Sequence, residues 1–196
     1  MLCNKPSDNV TLHVNDMLIE RSNVELKESD SGTKIPITGH KYEKDTHFYI
    51  SKLGKKLVPG KRYTIKISYM AHLRENRKGF YLSRYKDKET GRESYMASTQ
   101  FQIGEARRAF PCFDEPAMRA VFHVSLGRPK SMSSISNMPI KKKGEVMDGT
   151  DEYVWDRYEE SINMSTYLVA FVVTEFKFME YQSQGEKPVC VHSPSL

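Results

Sequence analysis

The feature that most limits this chain is a period of two. From Val10 to Val14 it reads VTLHV, which sets Val10, Leu12 and Val14 on one side of an extended backbone and Thr11 and His13 on the other. Residues 62–69 repeat the pattern, with Tyr63, Ile65, Ile67 and Tyr69 opposed to Arg62, Thr64, Lys66 and Ser68. Ala120, Phe122, Val124 and Leu126 alternate in the same way with Val121, His123 and Ser125. Alternation of this kind gives a strand one buried face, and it cannot give a helix one. Residues 153–178 predict two further strands, divided near residues 163–166, the second apolar on both faces at its centre. Turn formers punctuate the strands at Gly32, Pro59-Gly60, Pro129-Lys130, Lys143-Gly144 and Asp148-Gly149. Helix is limited to a turn or two within residues 104–109. The expected fold class is therefore all-β, an antiparallel sandwich or related layered structure. Repeats, low-complexity tracts and linkers are absent from the sequence, so residues 1–196 read as a single β domain.

Charge adds little direction. Thirty Lys and Arg stand against 25 Asp and Glu, a net of +5, and the two signs are mixed along the chain. The densest basic run, Lys141 to Lys143, is followed at once by Gly144 and Glu145 and reads as a solvated hairpin tip. A nucleic-acid interface would rest on this mild excess alone, so no nucleic acid is expected as a partner. Cys3, Cys112 and Cys190 are odd in number and widely spaced, and neither a disulfide framework nor a structural metal site follows from them. The longest apolar run, from Tyr167 to Val173, is too short to span a bilayer and suits a buried strand. The first ten residues, MLCNKPSDNV, show no apolar signal core, so the chain carries no address of its own.

The densest chemistry lies in residues 99–122, TQFQIGEARRAFPCFDEPAMRAVF. Pro111 and Pro116 fix their own φ and push their predecessors toward extended geometry, which makes a rigid, non-helical corner anchored by Phe110 and Phe113. Arg107 and Arg108 are close enough in sequence to Asp114 and Glu115 for guanidinium–carboxylate pairs to tie that corner together. An acid/base pair is disfavoured, because adjacent carboxylates on an extended chain point in different directions. Gln100 and Gln102 are spaced two apart, so on a strand both amides share a face while Phe101 points into the core. Two neighbouring amides offer donors and acceptors without charge, suited to holding a peptide's amine or backbone; spacing alone is equally met by two solvated glutamines.

The run STQFQIGEARRAFPCFDEPAMRAVFHVSL resembles the N-terminal domain of the M1-family zinc aminopeptidases, the gluzincin group that includes aminopeptidase N. NVTLHVNDM is similar to an early strand of that domain, and GFYLSRYKDKETGRESYMA to the segment before the run. SISNMPI and NMSTYLVAFVVTEFK resemble later strands, and together the matches cover most of the chain in the family's order. The resemblance implies a saddle-like, mostly antiparallel β-sandwich that packs on a separate catalytic zinc domain. It also implies that Gln100 and Gln102 line the substrate pocket and contact the peptide's free amine and first side chain. Where many relatives carry Glu at the second of these positions, Gln102 resembles the aminopeptidase N branch. An amide there lacks the Coulomb attraction that a carboxylate would supply.

The zinc chemistry itself has no counterpart in the sequence. Such peptidases need HExxH on a helix, two imidazoles one turn apart with a glutamate as general base. No two of His13, His40, His47, His72, His123 and His192 have that spacing, and the family's GxMEN motif is also missing. No catalytic residue, metal ligand or cofactor is therefore expected in this chain, and zinc belongs to the full-length family enzyme. His13 and His123 lie on the more polar sides of their strands and read as surface histidines. Compared with the family, the chain lacks one or more strands before NVTLHV and stops near the junction with the catalytic domain. It is expected to be a fragment without activity alone. A stand-alone peptide-binding or regulatory module derived from such an enzyme is the alternative. The resemblance suggests that the full-length enzyme is membrane-anchored or extracellular. Asn9 and Asn163 sit in N-x-S/T patterns, of which the first is the more accessible by position. Cys112, between Pro111 and Phe113 and without a nearby histidine, reads as a buried structural thiol.

Overall fold

The computed structural model describes residues 1–86, 91–181 and 189–193. Among these residues the chain is built from eighteen strands, with three single-turn 3-10 segments and no α-helix. Every strand-to-strand pairing is antiparallel, so the chain is all-β as its alternation predicts. No helix among the described residues is long and apolar enough to cross a membrane. The chain divides into two compact units. One is Met1–His72 with Ala106–Asp114, and the other is Leu73–Glu105 with the described residues from Glu115 onward.

The first unit contains β1 (Ser7–His13), β2 (Met17–Ile19), β3 (Glu25–Glu28), β4 (Ile37–Glu43), β5 (Phe48–Leu57), β6 (Tyr63–Lys66) and β7 (Tyr69–Ala71). β5 lies between β1 and β4, while β2 pairs with β7 and β3 with β6. Val10 and Leu12 of β1 are buried, as their shared face requires, and join Leu26, Ile35, Leu53, Leu57 and Tyr63 in one apolar cluster. Tyr63, 2 % exposed, satisfies its hydroxyl by accepting the Val58 N–H at 2.9 Å. The single strand expected over residues 62–69 is instead two. The facing pattern continues through Ile67, but pairing passes from β3 to β2, and Ile67 and Ser68 lie between the two ladders.

The second unit contains β8 (Gly79–Lys86), β9 (Glu93–Gln100), β10 (Arg119–Ala120), β11 (Ser125–Pro129), β12 (Ser133–Ser136), β13 (Ile140–Val146), β14 (Tyr153–Tyr158), β15 (Met164–Ser165), β16 (Phe171–Thr174), β17 (Lys177–Tyr181) and β18 (Val189–Ser193). Its four-stranded sheet runs β12-β16-β9-β8, and a three-stranded sheet runs β11-β14-β13. The two strands expected in residues 153–178 are four: β14, the short β15, β16 and the start of β17. Residues 120–126 also differ from expectation. Phe122, Val124 and Leu126 turn inward relative to their neighbours, yet residues 121–124 lie outside the strands. Their backbone bonds go to single partners instead, Tyr158 N–H to the Val124 carbonyl and Ser161 N–H to that of Phe122, each 3.0 Å.

Lys141 to Lys143 do not form a hairpin tip. They lie within β13, on the edge of its sheet, and the tip falls after them at Asp148-Gly149. Register shifts between Ile140 and Glu145, and the positive φ of Gly144 (68°), disrupt the ladder on that edge. Exposed lysines and a bulge are ordinary means of keeping an edge strand from pairing with another chain.

Candidate functional site

Gln100 closes β9, where it stands opposite Gly79 of β8. Gln102 lies two residues on, past the end of the strand. Between them Phe101 is 3 % exposed, with its ring edge-on to Phe171 of β16 at 6.0 Å between centroids. Phe171 is itself fixed, since its N–H donates to Thr99 Oγ1 at 3.1 Å. Burial of Phe101 leaves Gln100 and Gln102 on the solvent side, and both are exposed. Gln100 Nε2 donates to the carbonyl of Gln102 at 3.5 Å, a long contact that leaves both amide oxygens available as acceptors.

The chain then turns sharply. The Gln102–Ile103 peptide bond is cis, Gly104 has φ 71°, and the Glu105 N–H returns to the Phe101 carbonyl at 3.0 Å. Ile103 stands 83 % exposed beside the two amides, and the Glu105 carboxylate is 3.5 Å from Lys78 Nζ. Alternation gives no sign of either residue. The only cue is Gly104, which marks a turn and so ends the period-two rule at Gln102. The result is a small uncharged polar edge: amide oxygens that can accept from an ammonium or a peptide N–H, amide nitrogens that can donate to a carbonyl, and one exposed apolar side chain.

The charged corner that follows belongs to the first unit. Arg107 Nε donates to Asp114 Oδ2 at 2.9 Å, the Arg107 backbone N–H to the same oxygen at 3.2 Å, and Arg107 Nη2 to the Asp114 carbonyl at 3.2 Å. This is the architectural pairing expected from the sequence. His13 completes it. It is 8 % exposed rather than on the surface: its Nδ1 accepts the Asp114 N–H at 3.2 Å, and its ring lies 4.9 Å from Phe48. His13 and Cys112 also exchange both backbone hydrogen bonds, at 2.8 and 3.2 Å. The polar face of β1 is therefore covered by a segment a hundred residues away. His123 is surface-exposed as expected, 3.9 Å from Glu160.

Cys112 is 7 % exposed, and burial, with the nearby Asp114 carboxylate, pushes its thiol far above the usual range. It should resist iodoacetamide at pH 8 in the native protein and react once the chain is unfolded in urea; mass spectrometry of the alkylated peptides would check this. Cys3 is likewise a buried free thiol, donating to the Lys5 carbonyl at 3.0 Å.

The described residues do not fit a zinc site. Among the described residues no three His, Cys, Asp or Glu side chains converge, and Nδ1 of His13 and Nδ1 of His40 are engaged by the Asp114 N–H and the Tyr49 hydroxyl.

Comparison with known proteins gives a consistent picture. The family model described as Peptidase M1 N-terminal domain matches residues 1–168, across both units. The chain is 34% identical over 190 residues to endoplasmic reticulum aminopeptidase 1 of Rattus norvegicus, covering 96% of the chain and 20% of that protein. It is 38% identical over 135 residues to aminopeptidase N of Bos taurus, covering 69% of the chain and 14% of the relative. Membrane alanyl aminopeptidase of Manduca sexta is 33% identical over 187 residues, with 94% and 18% covered. The chain thus spans about a fifth of the length of the relatives it matches.

Proposed function

Because the chain belongs to the peptidase M1 N-terminal domain family, we propose that it is the substrate-positioning part of a zinc aminopeptidase that removes N-terminal residues from peptides. The observation that carries this reading is the pair of exposed amides, Gln100 and Gln102, held outward on either side of buried Phe101. Their carbonyl oxygens would accept hydrogen bonds from the substrate's terminal ammonium, and Ile103 would offer an apolar contact beside them. An uncharged acceptor orients an ammonium by geometry more than by long-range attraction, so this edge would serve alignment and first-residue preference. Metal chemistry, in this reading, resides on polypeptide outside residues 1–196, as does the catalytic domain against which this one packs.

The chain alone is then expected to be inactive. Purified protein incubated with fluorogenic aminoacyl amides should show no turnover, and elemental analysis should find zinc well below one equivalent. Turnover abolished by a chelator would refute the assignment of all metal chemistry to another part of the enzyme.

A further inference from the structure

The uncharged edge at Gln100 and Gln102 has formal charges at its end. Gly79, which stands opposite Gln100, is buried and opens β8, and Lys78 is the residue before it. Lys78 Nζ lies 3.5 Å from the Glu105 carboxylate, and Glu105 closes the turn through Ile103 with its N–H on the Phe101 carbonyl at 3.0 Å. The ion pair therefore joins the start of the strand facing Gln100 to the turn that carries Gln102 and Ile103, all within the second unit. Its two halves are not alike. The Lys78 side chain is 57% exposed and that of Glu105 only 18%, so the cation stands at the surface and the carboxylate is set back.

Neighbouring groups fix this arrangement and its sign. The Lys78 N–H donates to Asn76 Oδ1 at 3.3 Å, which holds the turn entering β8. Glu75 in the same turn is taken by Arg84, whose Nε donates to Oε1 at 2.8 Å. Arg77, next to Lys78, is exposed as well, so the turn presents two cations beside the one carboxylate of Glu105. A peptide held by its terminal ammonium already brings one positive charge to this edge. A basic first side chain adds a second, and repulsion from Lys78 acts on both, whereas an acidic first side chain offsets it. The amides and Ile103 cannot make that distinction, because they carry no charge.

We infer that Lys78 is a specificity-determining residue that disfavours peptides with a basic first side chain. The inference rests on the reading of Gln100 and Gln102 as the substrate edge and adds to it the charge class of the first residue. The test uses the full-length enzyme carrying this domain, with fluorogenic amides of arginine, leucine and glutamate. Lys78→Met should raise kcat/KM for the arginine amide relative to the leucine amide by about threefold. Lys78→Glu should raise it by about tenfold, since the charge then changes by two units. The ratio of glutamate to leucine should fall by similar factors. Glu105→Gln should move both ratios the opposite way, because it removes the compensating carboxylate; a pair with only a structural role would shift both variants in the same direction. Each shift should shrink as salt is raised from about 50 to about 500 mM. An exposed lysine in a surface pair adds little to stability, so the Lys78 variants should melt with the parent. Unchanged ratios in the Lys78 variants, while Gln100→Ala with Gln102→Ala lowers kcat/KM for every amide, would overturn the inference and leave the reading of the edge intact. Shifts of the same sign in Lys78→Met and Glu105→Gln would also overturn it. Unchanged constants in all of these variants would overturn the inference and the reading together.

Discussion

Asp156→Ala should destabilise the protein by about 3–5 kcal/mol, the usual consequence of stripping a buried cation of its partner. For a chain of this length that corresponds to a melting temperature lower by about 6–20 °C. Asp156 is fully buried and Arg128 is 5 % exposed. Arg128 reaches the carboxylate through both Nε and Nη2, the latter 3.0 Å from Oδ1, while its Nη1 donates to the Met132 carbonyl at 2.7 Å. Ser134 Oγ donates to Asp156 Oδ2 at 2.6 Å, the Gly144 N–H to Oδ1 at 2.8 Å, and Ser134 Oγ lies 2.7 Å from the Tyr158 hydroxyl. This network joins β11, β12, β13 and β14, so losing the carboxylate orphans donors on several strands at once. The double variant Arg128→Met with Asp156→Leu should recover much of the loss, since no charge is then left without a partner. Glu145→Ala removes a surface partner of Arg157 and Lys142 and should change stability far less than Asp156→Ala. Thermal and urea unfolding of the three variants would check the order.

The same carboxylate sets a pH dependence. Burial pushes its pKa up, but the hydrogen bonds from Arg128, Ser134 and Gly144 outweigh that and hold it below the ordinary aspartate value. A depressed folded-state pKa means that the unfolded chain binds the proton first as pH falls. The stabilisation from Asp156 is therefore complete above the unfolded value of about 3.9 and is lost progressively as pH drops from there through the folded pKa. Unfolding free energies measured from pH 6 to pH 2 should fall more steeply in the parent than in Asp156→Asn. Parallel curves would show that the network does not couple to the proton.

Gln100→Ala and Phe101→Ala, adjacent in sequence, should fail in opposite ways. Phe101 is packed against Phe171, and truncating it should cost about 3–5 kcal/mol of stability. Gln100 is exposed, and its one described contact is the long 3.5 Å bond to Gln102, so its loss should leave the melting temperature nearly unchanged. In the complete enzyme carrying this domain, a hydrogen bond to a charged ammonium is worth about 1.5–3 kcal/mol. Gln100→Ala should then lower kcat/KM by about 10- to 100-fold, or shift first-residue preference by a similar factor. A variant with every kinetic constant of the parent would remove Gln100 from the substrate edge.

Much of the sheet content was legible because each strand's buried face is written in alternate residues. Val10 and Leu12 fall where VTLHV puts them, and Phe101 lies buried between two exposed glutamines as spacing requires. Partner choice was not legible. Nothing in residues 62–69 states that the first half pairs with β3 and the second with β2, because ladder bonds use backbone groups common to every residue. His13 misleads for a related reason: a polar side chain on the outer face of a strand looks solvated until a distant segment, here the Cys112–Asp114 corner, covers it. The lysines of β13 mislead in the other direction, since a charged edge strand and a charged turn have the same composition. At the candidate site, Gln100 follows from the alternation, whereas Gln102 lies past the strand's end, in a turn through Ile103 and Gly104 that only the glycine announces.

The central claim is that Gln100 and Gln102 recognise a peptide's free amino terminus, and the most direct test compares one peptide with and without that amine. In the full-length enzyme with both glutamines changed to alanine, inhibition constants would be measured for a non-hydrolysable peptide and for its N-acetylated form. The claim predicts at least about tenfold weaker binding of the free-amine peptide and unchanged binding of the acetylated one. Equal weakening of both, or no change in either, would contradict it.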